Sequence, residues 1–233
     1  MKNVKVAFKI LDDVEMVPRY HQFVKCHIIF DIKMENFRRK ARLVAGGNMT
    51  TYPAAVTYAI VFSRETVRIA LTLAALNDLE VKCGDFLNAY ITAPVKEKIW
   101  TYLGAEHGYN KGKKAIIVRA LYSLKSSGAA FRAHLCECMA ALGYKPCLAD
   151  PDIWLKAQNQ DGIDYYSYIL CYVDDIMVIH HDARLILDRI DKFMKLKESS
   201  VGDPDIYLGA KLKKVQMDND VWCWSISPSK YVQ

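Results

Sequence analysis

The sequence predicts an α+β fold whose middle is a split βαβ, ferredoxin-like antiparallel sheet with helices on one face. Three observations predict it. First, the patterns run strand (79–86), helix (129–142), two or three strands (153–180), helix (183–197), strand (206–216). Second, residues 165–180 read YYSYILCYVDDIMVIH, two aromatic and β-branched runs joined by the adjacent acids Asp174 and Asp175. Burying unpaired charge is costly, so the acids belong at a hairpin turn on the lip of the sheet. Third, residues 79–86, LEVKCGDF, put Leu79, Val81, Cys83 and Asp85 on one strand face, with the acid at its end. In a split βαβ sheet that strand end and the hairpin turn lie together, which brings Asp85 to Asp174 and Asp175.

The elements follow in chain order. Residues 4–11 and 22–33 are strand-like runs, followed by the basic stretch 38–42 and a turn at Gly46–Gly47. Residues 50–61 show no period and read as irregular. Ser63 is a helix N-cap, with Glu65 in the first turn and Val67, Ala70, Leu71 and Ala74 as the apolar stripe of a helix to about Asn77. Residues 99–103 and 115–119 read as a strand pair across a Gly/Lys-rich connection. Residues 129–142 form a helix with Phe131, Leu135, Met139 and Leu142 on one face and Gly143 as its stop. A short strand at 153–157 precedes the acid-bearing hairpin. Asp182 caps a helix to about Lys197, with Ile186, Ile190 and Phe193 inward. Residues 206–216 and 221–226 form a hairpin around 217–220. Ser227 and Pro228 open a further helix at its N-cap and first position, so the chain reads as stopping at a fragment's edge.

Composition bounds the class. At 233 residues, 52% hydrophobic and 25% charged, the chain is globular rather than disordered or coiled coil. No apolar run is long enough to span a membrane, and the N-terminus lacks a signal-peptide core, so an intracellular, non-secreted protein is expected. Seven cysteines without a CxxC pair fit reduced thiols; Cys136 and Cys138 diverge on a helix and make no zinc site. The net charge is +6, and residues 1–50 carry ten bases against five acids. A basic leading segment suits a polyanion, although charge alone equally suits a solvated surface.

The acids carry the chemistry. Three carboxylates at one point repel and raise one another's pKa unless cations neutralise them. Two Mg²⁺ ions, or Mn²⁺ in their place, would bridge them in the two-metal scheme of nucleotidyl transfer. Strand alternation puts Asp174 on the face of Tyr172 and starts Asp175 on the other, so Asp85 and Asp174 are expected as the main ligands and Asp175 as the secondary one. An Asp-Asp pair alone would fit a solvated or calcium-binding turn, but no EF-hand loop is present.

The neighbours of that pair add a resemblance. YVDD between apolar strands resembles the Y-x-D-D box of reverse transcriptases. RRKARLVAGG (38–47), SRETVRIALTLAAL (63–76), GDFLNAYITAPVKEKIW (84–100), IIVRALYSLKSSGAAFRAHL (116–135), ADPDIWL (149–155) and IYLGAKL (206–212) are similar, in this order, to the copia-type retrotransposon enzymes. They cover nearly the whole chain from about residue 20.

The resemblance implies a right-hand polymerase: fingers and palm over 1–200 (a basic finger segment to about 78, then the palm core), and over 201–233 a primer-grip hairpin and the start of a thumb. It implies Asp85, Asp174 and Asp175 as catalytic metal ligands, with the Phe86 carbonyl added. Lys40 and Arg42 would hold the incoming triphosphate, Tyr90 would be the steric gate against a ribose 2′-OH, and Tyr172 and Val173 would line the substrate site. Tyr207, Leu208 and Gly209 match the primer grip. The implied partners are an RNA or DNA template-primer, deoxynucleoside triphosphates and the polyprotein's integrase and ribonuclease H, with no membrane. The implied location is cytoplasmic, in a virus-like particle, or nuclear.

Two alternatives stand beside this reading: an inactive relic that only binds nucleic acid, and an RNA polymerase on the same palm, against which Tyr90 argues. The family's L-Y-G-L-K-Q-x-P-R-x-W appears here as LYSLKSSGAAF, with Ser123 for Gly, Gly128 for Pro and Phe131 for Trp. A side chain at Ser123 would be strained if that position needs φ > 0. His107, His134, His180 and His181 fit no motif and are expected to serve packing or surface roles.

Overall fold

The structure, a computed structural model, describes residues 6–33, 37–50, 63–218 and 220–227. The start of the 4–11 run, the irregular stretch beyond Thr50 and the helix start at Pro228 lie outside the described residues. The chain divides into two compact units, Met1–Ala59 with Asn88–Leu135, and Ile60–Leu87 with Cys136–Gln233.

In the first unit, β1 (Phe8–Ile10), β2 (Gln22–Phe23), β6 (Ile99–Tyr102) and β7 (Lys114–Ile117) form a sheet of order β1–β7–β6–β2. Ala7, Val24, Ile99, Leu103, Ala115 and Ile117 bury its inner side. β3 (Cys26–Lys33) and β4 (Arg38–Ala45) make a separate antiparallel ribbon. The run 22–33, expected as one strand, is therefore two. The Val24 amide still donates to Trp100 O at 2.9 Å, whereas Lys25 O already accepts from Gly46 N–H at 2.9 Å, so the chain changes partners there. The predicted turn at Gly46–Gly47 opens a one-turn 3₁₀ helix, Gly47–Met49. A Cβ at Gly47 would collide with the Ser123 carbonyl oxygen. Ser123 itself adopts φ +72°, the left-handed backbone that its side chain disfavours.

The second unit holds α1 (Arg64–Leu76), β5 (Glu80–Asp85), β8 (Lys145–Pro146), β9 (Ile153–Gln160), β10 (Ile163–Tyr172), β11 (Asp175–His180) and α4 (Ala183–Phe193). Its antiparallel sheet runs β5–β11–β10–β9–β8. Ser63 Oγ accepts from the Thr66 amide at 3.3 Å and Asp182 Oδ1 from the Leu185 amide at 2.9 Å, so both helices carry their predicted caps. α3 (Ser127–Ala141) lies across the division of the units and ends before Gly143 at φ +81°.

The α+β class holds, and three details of the expected sheet change. The expected order strand, helix, strands, helix is present, but residues 206–216 do not join that sheet as its last strand. They form β12 (Ile206–Tyr207) and β13 (Ala210–Gln216), which with β14 (Trp222–Ser227) build a second sheet. Leu208 at φ +50° and Gly209 at φ +77° make a two-residue turn that folds this stretch back on itself. The outer edge of β5 is met instead by Gly202, which exchanges backbone hydrogen bonds with Cys83.

Helices were expected on one face of the sheet, and they occupy both. Val67, Leu71 and Ala74 of α1 pack with Val81, Met177 and Ile179. α4 lies on the alternate face, where Glu80 accepts from the Ala183 amide at 2.8 Å. Ile176, Met177, Val178 and Ile179 are consequently all fully buried, which explains the unbroken apolar run of β11.

α4 also ends earlier than expected. Phe193, predicted to face inward, is 56% exposed, and Leu187 takes the buried position. The residues beyond it extend to pair alongside the end of β5: Leu87 N–H donates to Lys195 O at 2.7 Å and Lys197 N–H to Asp85 O at 2.8 Å.

Candidate active site

The β10–β11 hairpin pairs Tyr172 with Asp175, which leaves Val173 and Asp174 as a two-residue turn. Val173 takes φ +53°, a conformation that glycine or asparagine normally supplies and that a β-branched residue enters only when its surroundings over-determine it. Here they do. The ladder of β10 with β11 holds both ends of the turn, and the Phe86 amide donates to Asp174 O at 2.7 Å.

Asp175 lies directly opposite Asp85 on the neighbouring strand β5. Directly opposed residues share a face, so these two carboxyl groups lie side by side. Burial, followed by the hydrogen bond and charge of Asp85 and then the charge of Asp174, pushes the Asp175 carboxyl up to about 7. Lys197 opposes that rise. Its Nζ lies 2.8 Å from Asp85 Oδ2, with both side chains partly exposed. Ser200 Oγ accepts from the Asp85 amide at 2.8 Å and donates to Lys197 O at 2.7 Å, fixing the backbone on which the acid stands.

Asp85, Asp175 and Ser200 line a cleft of about 260 Å³ together with Cys83, Asp203, Asp205 and Tyr207. That volume suits hydrated ions and falls short of an organic ligand's pocket of roughly 300–1,000 Å³. Burial, then the Asp175 and Asp85 charges, raise the Cys83 thiol far above its usual range, so it stays protonated and inert.

A Mg²⁺ or Mn²⁺ ion would find hard oxygen donors here, and a cation would relieve the crowding that raises Asp175. To that extent the residues fit. Among the described residues no group of three or more His, Cys, Asp or Glu side chains is gathered as a metal would need. Asp174 meets the cluster through its backbone, at the Phe86 amide. The closer relation to Asp85 therefore belongs to Asp175, although strand alternation had ranked Asp174 first. The alternation breaks at the two-residue turn: Tyr172 pairs directly with Asp175, so these two share a face with Asp85, and Asp174 is left in the turn.

Other predicted residues of the second unit gather around the same hairpin. Tyr172 packs against the core shared by β5, β11 and α1, and Val173 is exposed at the turn tip. Tyr207 is buried, with its hydroxyl donating to Leu170 O at 3.3 Å, and Leu208 and Gly209 form the turn beyond it. The buried Phe86 follows Asp85 and bridges to Leu196.

Lys40, Arg42 and Tyr90 belong to the first unit. Arg42 on β4 forms a 3.2 Å ion pair with Asp31 across the ribbon, where Lys40 is the residue directly opposite Asp31. Tyr90 sits on α2 (Ala89–Thr92), its ring edge-on to Tyr122 at 4.9 Å and to Phe131 at 6.1 Å. Sequence reasoning missed Lys197 and Ser200. No local pattern marks them, because their position depends on residues 195–200 running beside β5. Of the motif-free histidines, His107 is edge-on to Phe8 at 5.1 Å, and His180 Nε2 meets the Tyr165 hydroxyl at 3.2 Å.

A family model described as reverse transcriptase (RNA-dependent DNA polymerase) matches residues 9–222. The chain is 25% identical over 232 residues to a retrovirus-related Pol polyprotein from transposon TNT 1-94 of Nicotiana tabacum. It is 26% and 25% identical, each over 226 residues, to those from transposons RE2 and RE1 of Arabidopsis thaliana. These alignments cover 91–93% of the chain but only 15–17% of each polyprotein.

Proposed function

The chain belongs to the reverse transcriptase (RNA-dependent DNA polymerase) family, and we propose that its acidic hairpin carries templated DNA synthesis as one domain of a retrotransposon polyprotein. The observation that supports this most is the direct opposition of Asp85 and Asp175 beside the Asp174 turn. In this reading the first unit supplies the fingers, and the sheet of the second unit supplies the palm.

Asp85, Asp174 and Asp175, with the Phe86 carbonyl, would hold two Mg²⁺ ions. When bound, the ions supply Lewis acidity for attack of a primer 3′-hydroxyl on a deoxynucleoside triphosphate and for departure of pyrophosphate. The protein's part is to fix charge and geometry. The β5–β11 register holds two carboxylates at one spacing on rigid strands, as a preorganised site requires. Lys197 and Ser200 fix the side chain and backbone of Asp85. Arg42 and Lys40 would bind the triphosphate oxygens, the planar guanidinium by paired hydrogen bonds. Tyr90, held by Tyr122 and Phe131, would exclude a ribose 2′-hydroxyl. Tyr207, Leu208 and Gly209 would steady the primer, and template sequence would be read by base pairing while the protein grips phosphates.

A second reading, a relic that binds nucleic acid without turning over, is favoured by one observation. Ser123 occupies φ +72° where the family places glycine. Extension of a DNA primer on an RNA template with Mg²⁺ or Mn²⁺ separates the two. Extension that is lost in Asp174→Asn supports the polymerase; extension indifferent to that substitution refutes the metal assignment. No extension by either protein, with template binding retained, supports the relic.

A further inference from the structure

Lys197 meets Asp85 twice, through its backbone and through its ammonium, and the two contacts differ in kind. The backbone contact is fixed. Lys197 N–H donates to Asp85 O at 2.8 Å, and Lys197 O accepts from the same Ser200 hydroxyl that receives the Asp85 amide. Leu87 N–H also donates to Lys195 O, so this strand stays beside β5 whatever side chain residue 197 carries. The ammonium contact is removable. Nζ lies 2.8 Å from Asp85 Oδ2, with the two side chains 37% and 38% exposed. A compact charge on a flexible four-carbon stem at that exposure can leave without disturbing the backbone.

Stability of the fold does not account for this pair, because partly exposed ion pairs contribute little. Its place does. The ammonium sits on the acid that lies directly opposite Asp175, and its charge lowers the Asp175 carboxyl that burial and the neighbouring acids raise. A divalent cation at Asp85 would seek the same carboxylate oxygens and would repel the ammonium beside it.

We propose that the Lys197 ammonium is a built-in counter-ion, which occupies Asp85 while no divalent cation is bound and gives it up when one binds. Cation binding and release of Lys197 are then one linked exchange, and the lysine sets the cation concentration at which the site fills. This linkage rests on the metal reading of the acids and adds its regulation. A purely anchoring side chain predicts the opposite sign, since losing an anchor loosens Asp85 and weakens cation binding.

The test measures Mn²⁺ binding to the full chain by electron paramagnetic resonance at about pH 8, without nucleic acid or triphosphate. Lys197→Met should bind about fivefold more tightly than the wild type, the scale of one partly exposed ion pair. Lys197→Arg keeps the cation and should bind like the wild type. Lys192→Met makes the same change of net charge at an exposed site in the last turn of α4, and should leave the affinity unchanged. A second readout uses the wild type alone, so that no variant's folding decides it. Lysine acetylation mapped by mass spectrometry should be about fivefold faster at Lys197 in Mg²⁺ than in EDTA, the same release read directly, with Lys192 unaffected. Equal or weaker Mn²⁺ binding by Lys197→Met, an equal gain in Lys192→Met, or Lys197 labelling indifferent to Mg²⁺ would overturn the proposal and leave the metal reading standing. Absence of Mn²⁺ binding in every one of these proteins would overturn both.

Discussion

Asp175 is the residue on which the electrostatics of the acidic site concentrate. Its carboxyl is raised to about 7, against about 3.9 for an aspartate in an unfolded chain. Between those values the folded protein binds a proton that the unfolded chain has lost, so this group's contribution to stability falls as pH rises from about 4 to 7. In EDTA, the difference in Tm between the wild type and Asp175→Asn should shift against the wild type across that window. Millimolar Mg²⁺ at about pH 7.5 should recover the loss in the wild type alone. A difference independent of pH would contradict the crowded-carboxylate account.

Two further residues make separate statements. Ser123→Gly should stabilise the chain by about 1 kcal/mol in denaturant melts, because glycine enters φ > 0 without the Cβ penalty. Tyr90→Ala should relax discrimination against ribonucleotides, whereas Tyr90→Phe keeps the ring and should retain it; unchanged selectivity in Tyr90→Ala would remove the gate. The strain at Ser123 was foreseeable from the sequence because a serine stands in a motif that otherwise carries glycine. The Lys197–Asp85 pair was not foreseeable, since its partners are 112 residues apart.

At the scale of elements, the apolar periods mark the faces that are buried. Val67, Ala70, Leu71 and Ala74 of α1 are all in the core, as their spacing predicts. Boundaries fail where the chain changes partner rather than pattern. Residues 22–33 remain strand-like throughout but pair first with β6 and then with β4. The stretch 206–216 keeps its apolar character through a turn that Leu208 enters at φ +50° with no side-chain signal of its own. Phe193 fits the helical stripe of α4, yet the helix stops there to free the strand that pins Asp85. One element-level contact yields a large predicted effect. Gly47→Ala drives a methyl into the Ser123 backbone carbonyl, which cannot retreat as a flexible side chain could. The cost should be roughly 3 kcal/mol or more, measured as a shift in the denaturation midpoint; a change below about 0.5 kcal/mol would contradict that packing.

For the molecule as a whole, neither compact unit is continuous in sequence. The second draws β5 from the middle of the chain and the acidic hairpin from nearly ninety residues later. The order of patterns was enough to forecast that Asp85 and the hairpin would converge, because a split βαβ sheet brings a first strand beside a third. Strand alternation ranked Asp174 ahead of Asp175 for the place beside Asp85, and the two-residue turn that interrupts the alternation puts Asp175 there instead.

The proposed role of the paired acids is metal-dependent templated synthesis. The most direct measurement is incorporation of a single deoxynucleotide into a DNA primer annealed to RNA, followed as Mg²⁺ is titrated, for the wild type and Asp85→Asn. The account predicts saturable Mg²⁺-dependent incorporation by the wild type. It predicts a rate about a thousandfold lower in the variant, equivalent to the several kcal/mol that a Lewis-acid contact supplies. Incorporation that proceeds in EDTA, or at the same rate and with the same Mg²⁺ dependence in Asp85→Asn, would contradict it.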